Sequence, residues 1–126
     1  MFPRLSIAVQ DTPFDPSARE RIVLTRVVDG RTLYRVFVYL TGRDLPFVKR
    51  ATYRLHPSVS ESPHTVPRTP SNPDCRLVLW LWGTFPLSVV IEDLKDGVHE
   101  VQYTLQFDRY FAEATFKQEG LKVQQS

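Results

Sequence analysis

The stretch Leu79-Trp80-Leu81-Trp82-Gly83-Thr84-Phe85 holds the side chains best suited to gripping a ligand. Indole and phenyl rings offer flat apolar faces on which planar or apolar groups stack. Alternation along a strand puts Trp80 and Trp82 on one side, after Val78. Trp80, inside the strand, is expected as core. Trp82, stopped at once by Gly83, is expected as the wall of a strand-end site. Each neighbour also has a purely structural reading: Gly83 as a turn residue, Phe85 as packing.

Reactive chemistry is thinly supplied. His56, His64 and His99 lie on different segments without metal-ligand spacing. No GxSxG, P-loop or HExxH pattern occurs. Glu92 and Asp93 are adjacent, and neighbours on a strand point to opposite faces, so they cannot flank one substrate as acid and base. Cys75 follows Asp74, whose negative charge raises a thiol's pKa and disfavours the nucleophilic thiolate. The expectation is a non-enzyme with no cofactor and no metal site.

The 126 residues make one ordinary domain, and ten prolines against five glycines suit strands joined by stiff loops. The net charge of +2 comes from 16 basic and 14 acidic residues spread along the chain, which does not call for nucleic acid. Lys49, Arg50 and Arg54 sit together and read as solvated strand faces. One cysteine excludes an internal disulfide and fits a reducing compartment. The first residues lack an apolar signal-like core, and no apolar run approaches a membrane span. A cytoplasmic location without membrane association is expected.

The elements that must position these residues follow a period of two. His99–Phe107 places Val101, Tyr103, Leu105 and Phe107 on one face and Glu100, Gln102, Thr104 and Gln106 on the other. Residues 21–28 and 33–40 flank Asp29-Gly30 and read as a hairpin. Further strands are expected at 2–10, 48–56, 75–82 and 87–94, with Lys95-Asp96-Gly97 as a turn. Residues 36–40 and 77–82 are apolar on both faces, so each is central or has one face covered. Residues 58–74, rich in proline, read as a long loop in which His64 and Arg68 are solvated. The tail, 108–126, is expected to form a short helix capped by Asp108 and ended by Gly120. The outcome is an all-β sandwich of seven to eight antiparallel strands at residues 1–110, followed by a tail or short helix at 111–126.

Asp44–Ser58, then Thr69–Cys75, then Trp80–Phe85, taken in that order, resemble the YEATS domain family, its prokaryotic branch in particular. The carrying elements are Leu55-His56-Pro57-Ser58 and Trp82-Gly83-Thr84-Phe85, and the likeness runs from about residue 20 to 107. The resemblance implies an immunoglobulin-like sandwich that reads acylated lysine, the acyl chain entering a slot between aromatic rings. Trp82 would be one wall, and the Gly83 N–H would donate to the acyl amide oxygen. Ser58 would accept the amide N–H, His56 would order the loop presenting Ser58, and Phe85 would pack beneath. Both polar ends of a buried amide then find partners. At the family's second aromatic wall stands Val59, and Leu81 replaces the glycine that usually precedes the pocket ring. Losing one stacking partner costs about 1 kcal/mol, or fivefold in affinity. The function expected is a binding module for an acylated-lysine-type peptide or a small acyl ligand. The alternative is a protein-interaction scaffold in a bacterial signalling assembly. In both, the partner is a peptide or protein.

Overall fold

The computed structural model describes residues 5–57 and 63–119. The chain is all-β, with nine strands among the described residues, in two sheets: β1 Ala8–Thr12, β2 Ile22–Val28, β3 Arg31–Thr41, β4 Val48–Leu55, β5 His64–Pro67, β6 Leu77–Leu81, β7 Pro86–Asp93, β8 Val98–Thr104 and β9 Thr115–Gln118. One sheet has the order β1-β3-β2-β9 with β6 also paired to β3, and the other the order β5-β4-β7-β8. Strand β3 is central, with three partners and Val36, Phe37, Val38 and Leu40 all buried. By contacts the chain divides into two compact units.

The first unit comprises Met1–Gln10, Val38–Leu77 and Phe85–Leu105. Its four-stranded sheet is antiparallel throughout. Period-two patterning decides its faces: Ala51, Tyr53 and Leu55 of β4, with Leu87, Val89 and Ile91 of β7, are buried. The outward residues pair across strands. Arg50 meets Glu92 at 3.3 Å, Thr52 meets Thr65 at 3.0 Å, and Ser88 donates to Glu100 at 2.7 Å. Asp93 organises the β7–β8 turn, accepting from the N–H groups of Lys95 at 2.9 Å and Gly97 at 2.8 Å and meeting His99 Nε2 at 2.9 Å. The pairing with His99, then the bond from Gly97, holds the Asp93 carboxyl below its ordinary pKa. Gly42, at φ +135°, lies against Ser6, where a Cβ would come 2.1 Å from the carbonyl oxygen.

Part of the proline-rich segment is a strand. His64–Pro67 pairs with β4 as β5, so the loop expected over 58–74 is shorter than the sequence implied. The cause is that β4 exposes an edge whose backbone groups a short extended segment satisfies, whatever its apolar content. His64 is accordingly half-buried within β5, and Arg68 donates to the Pro73 carbonyl at 3.0 Å. Beyond it, Asn72 accepts from the Arg76 N–H at 2.8 Å and donates to the Arg76 carbonyl at 3.0 Å. The Tyr53 hydroxyl donates to the Cys75 carbonyl at 2.6 Å, with both residues fully buried.

The second unit comprises Asp11–Phe37, Val78–Thr84 and Gln106–Ser126. Its hairpin is as expected: Val28 faces Arg31 across Asp29 (φ 52°) and Gly30 (φ 76°), the paired positive angles of a tight hairpin turn. The expected tail helix is replaced by a 3₁₀ segment, Phe107–Glu113, and then by β9. Gln106, not Asp108, stands at the cap position, and Gly120 lies outside the described residues. Strand β9 runs parallel to β2, against the all-antiparallel expectation. Tertiary packing of rings explains both departures. Tyr34 lies 4.9 Å from Phe111 and 6.2 Å from Phe107 and Phe116 between ring centroids, which draws the tail onto the β2–β3 hairpin. Buried Asp11 adds a polar tie, accepting from the Gln106 N–H at 2.9 Å and from Arg109 at 3.2 Å. Burial opposes the charge on Arg109, but the bonds to Tyr110 and Asp11 outweigh it and raise its pKa above the ordinary value.

Candidate functional site

In the second unit, β6 presents its two faces unequally. Leu79 and Leu81 are buried, whereas Val78 is 46% exposed and Trp80 half-buried. Trp80 is therefore not core, contrary to the expectation. Its ring faces outward and is covered by the Arg26 guanidinium, whose Cζ lies 3.9 Å from the ring centroid. An apolar strand face in this position needs no second hydrophobic layer, because a guanidinium plane stacks on the indole while its N–H groups stay hydrated or paired. That is how β6 is apolar on both sides while pairing, among the described strands, with β3 alone.

Trp82 and Gly83 form a bend just past the end of β6, and both are half-buried. The Arg31 guanidinium lies over the Trp82 ring at 4.4 Å from the centroid. A third pair of the same kind, Arg35 on Phe37 at 4.9 Å, sits further along β3. The three cations differ in what neutralises them. Arg26 is paired to Glu119 through both Nε and Nη2. Arg35 has a buried Nε without a hydrogen-bond acceptor among the described residues. Arg31 is exposed and, among the described residues, has no carboxylate within ion-pair distance. Neither Arg26 nor Arg31 announced itself in the sequence. Both stand in the β2–β3 hairpin, far along the chain from the tryptophans they cover, and only the fold brings them there.

The remaining sequence-derived candidates fall as follows. Leu81 is 1% exposed, so its side chain packs inward and does not stand at a pocket mouth. His56 and Phe85 belong to the first unit. His56 is exposed just beyond β4, and Phe85 is half-buried before β7, its carbonyl accepting from the Leu105 N–H at 3.1 Å. Ser58 and Val59 lie outside the described residues. Tyr34 and Tyr110, whose rings could stand in for the one missing at Val59, are engaged within the second unit. Tyr34 is in the aromatic cluster and Tyr110 lies 5.5 Å from Phe14.

Cys75 is fully buried, and burial, with a further push from Asp74, raises its pKa to about 11. It is a thiol at neutral pH, poorly suited to nucleophilic attack. The second unit also carries an open cleft of about 160 Å³ with Glu20, Ile22, Leu24, Arg35 and Lys117 among its lining residues; neither Trp82 nor Gly83 lines it. Among the described residues no three metal-ligating side chains cluster, and no helix is long and apolar enough to cross a membrane.

Comparison with known proteins places the chain in a family. The sequence profile of the prokaryotic YEATS domain matches residues 34–106, more than half of the chain. The fold is similar to that of a solved structure described as the Yaf9 YEATS domain recognizing H3K122suc peptide. The TM-score is 0.54 at 12% identity, covering 86% of this chain and 80% of that one. The two sheets are thus those of an immunoglobulin-like sandwich. No curated protein matches the chain.

Proposed function

The chain belongs to the prokaryotic YEATS domain family, and from that premise we propose a non-enzymatic binding module that holds an acylated-lysine-type peptide or a small acyl ligand against Trp82. The observation that carries this reading is the position of Trp82. A large ring left half-buried at a strand end, beside a glycine and outside the hydrophobic core, is suited to contact rather than to packing. The Gly83 N–H would hold the acyl oxygen. His56, Ser58, Val59, Leu81 and Phe85 are the other positions that the family likeness assigns to the site. The solved Yaf9 domain recognises a histone peptide, which supports a peptide as the ligand class. The buried single thiol supports a cytoplasmic setting.

Calorimetric titration with acetyl-, crotonyl- and unmodified lysine peptides tests this. Saturable binding of the acylated peptides alone is expected, weakened about tenfold or more in Trp82→Ala. No heat of binding at millimolar peptide would overturn it.

A second reading, a docking scaffold in a signalling assembly, has its own observation. In the first unit Phe47 is 56%, Leu94 60% and Val98 66% exposed, and the Leu94 N–H donates to the Phe47 carbonyl at 2.9 Å. Exposed apolar side chains grouped this way mark interaction surfaces. Under this reading Phe47→Asp abolishes partner binding and Trp82→Ala does not.

A further inference from the structure

We propose that the open edge of β8 pairs with β8 of a second copy of this chain, antiparallel and about a two-fold axis at Val101, so that two four-stranded sheets become one continuous sheet. The inference is independent of the acyl-lysine reading and rests on the first unit alone.

Strand β8 ends its sheet, with β7 on one side and no other described strand on the other. Two bonds bracket the β7–β8 ladder: the Leu105 N–H donates to the Phe85 carbonyl at 3.1 Å, and the Asp93 N–H to the Gly97 carbonyl at 2.9 Å. The register between them is unbroken, from Pro86 opposite Thr104 to Glu92 opposite Val98. Bonded pairs alternate along an antiparallel ladder. His99, Val101 and Tyr103 therefore turn their backbone groups to β7, and Val98, Glu100, Gln102 and Thr104 turn theirs to the open edge. Such an edge is a template for another strand, and proteins blunt it with proline, lysine, bulges or short length. The other edges are blunted in this way. Strand β5 has four residues and ends in Pro67, β9 has four and carries Lys117, and β1 has five and carries Asp11. Strand β8 has seven residues, without proline, glycine, lysine or a bulge.

The sequence of β8 selects a copy of itself as the occupant. With Val101 opposite its own counterpart, Glu100 lies opposite Gln102 and Val98 opposite Thr104, each twice by symmetry, and every outward backbone group of the strand is paired. The Gln102 amide, which already donates to Glu100 of its own strand at 3.0 Å, is a donor for the carboxylate opposite. Centring on Glu100 would instead set two carboxylates against each other, and centring on Gln102 would leave Val98 without a partner in the strand. The axis stands perpendicular to the sheet, so His99, Val101 and Tyr103 of both copies keep to one face. Val98, 66% exposed, and half-buried Val101 give up apolar area to the pair. An extended peptide of another protein would satisfy the same backbone groups, but the match of Glu100 to Gln102 and of Val101 to itself favours the second copy.

Sedimentation velocity of the intact chain, from micromolar to near-millimolar concentration, tests this. A rise from the mass of one chain to that of two is expected, stopping there because the pairing closes on itself. Gln102→Pro removes an outward N–H and leaves the bonds to β7 in place, so it should abolish the dimer while circular dichroism still reports the wild-type fold. Gln102→Glu sets like charges opposite each other twice, for a dimer about fivefold weaker. Gln102→Lys sets opposite charges there, for one about fivefold tighter that loosens as salt rises. These two exposed substitutions decide the matter if the proline variant does not fold. A single chain at every concentration would overturn the proposal, as would growth beyond two copies. So would a dimer indifferent to all three changes at Gln102, and its loss in Phe47→Asp would then assign it to the exposed apolar side chains around Phe47 and Leu94.

Discussion

Replacing Tyr53 by Phe isolates one hydrogen bond in the most buried part of the first unit. The hydroxyl donates to the Cys75 carbonyl at 2.6 Å, and both residues are 0% exposed. Phenylalanine keeps the ring, so no cavity opens beyond the lost oxygen. The cost is the bond itself plus a buried carbonyl deprived of this donor, about 2 kcal/mol in all. In urea unfolding this lowers the midpoint by about 1 M with an unchanged slope.

Alkaline pH provides an internal check. Burial, with smaller contributions from Cys75 and Asp74, raises the Tyr53 pKa well above its ordinary value. Above pH ~10 the unfolded chain releases the phenolic proton and the folded chain keeps it, so the unfolded state binds fewer protons. Stability contributed by Tyr53 is therefore complete below pH ~10 and declines above it by up to about 1.4 kcal/mol per pH unit. The Tyr53→Phe variant has no such loss, so the gap between the two proteins should close as pH rises from about 9 towards about 11. Cys75, itself raised to about 11, lowers the stability of both proteins over this range and cancels in the difference. A gap below about 0.5 kcal/mol at pH ~7, or one that stays constant into the alkaline range, would refute the buried donor.

Two further predictions rest on the same unit. Gly42→Ala places a Cβ 2.1 Å from the Ser6 carbonyl at a φ of +135°, so a loss of about 3 kcal/mol and roughly 10 °C in melting temperature is expected; an unchanged melt would contradict that close approach. Asp93, whose pKa is lowered chiefly by His99, contributes stability that is present above the ordinary carboxylate range and lost as pH falls through its folded value. Asp93→Asn should therefore melt below the wild type at pH ~6 and match it by pH ~2, whereas a pH-independent difference would exclude the carboxylate as the cause.

The strands were legible where one short-range rule dominated. Asp29-Gly30 specifies its turn because both positions take positive φ, which few residue pairs tolerate, and the hairpin stands where it was expected. In β8, Val101 and Tyr103 are half-buried while Glu100, Gln102 and Thr104 are exposed, as period-two alternation implies, although the strand ends at Thr104 and not at Phe107 as expected. The misreadings concern segments whose conformation is set by a distant partner. Strand β5 forms on the edge of β4, and β9 is placed by Phe111 and Phe116 against Tyr34. Neither carries a local pattern strong enough to announce a strand.

At the site, the sequence by itself determined the chemical parts: a tryptophan-glycine end to a strand, a histidine-proline-serine loop, and a thiol beside an acid. The type and order of those residues suffice for a family likeness. Which ring faces solvent was decided only in the tertiary structure. Alternation put Trp80 and Trp82 on a common side, but it could not say that this side is the outer one, since apolar residues occupy both sides of β6. The burial of Leu79 and Leu81 on the other side and the arginines stacked on the two rings settled that. The electrostatics of Trp82 were likewise absent from the sequence, because the fold, and not spacing along the chain, lays Arg31 over its ring. Local rules fix dihedral angles and faces. Non-local pairing decides which charges meet which rings.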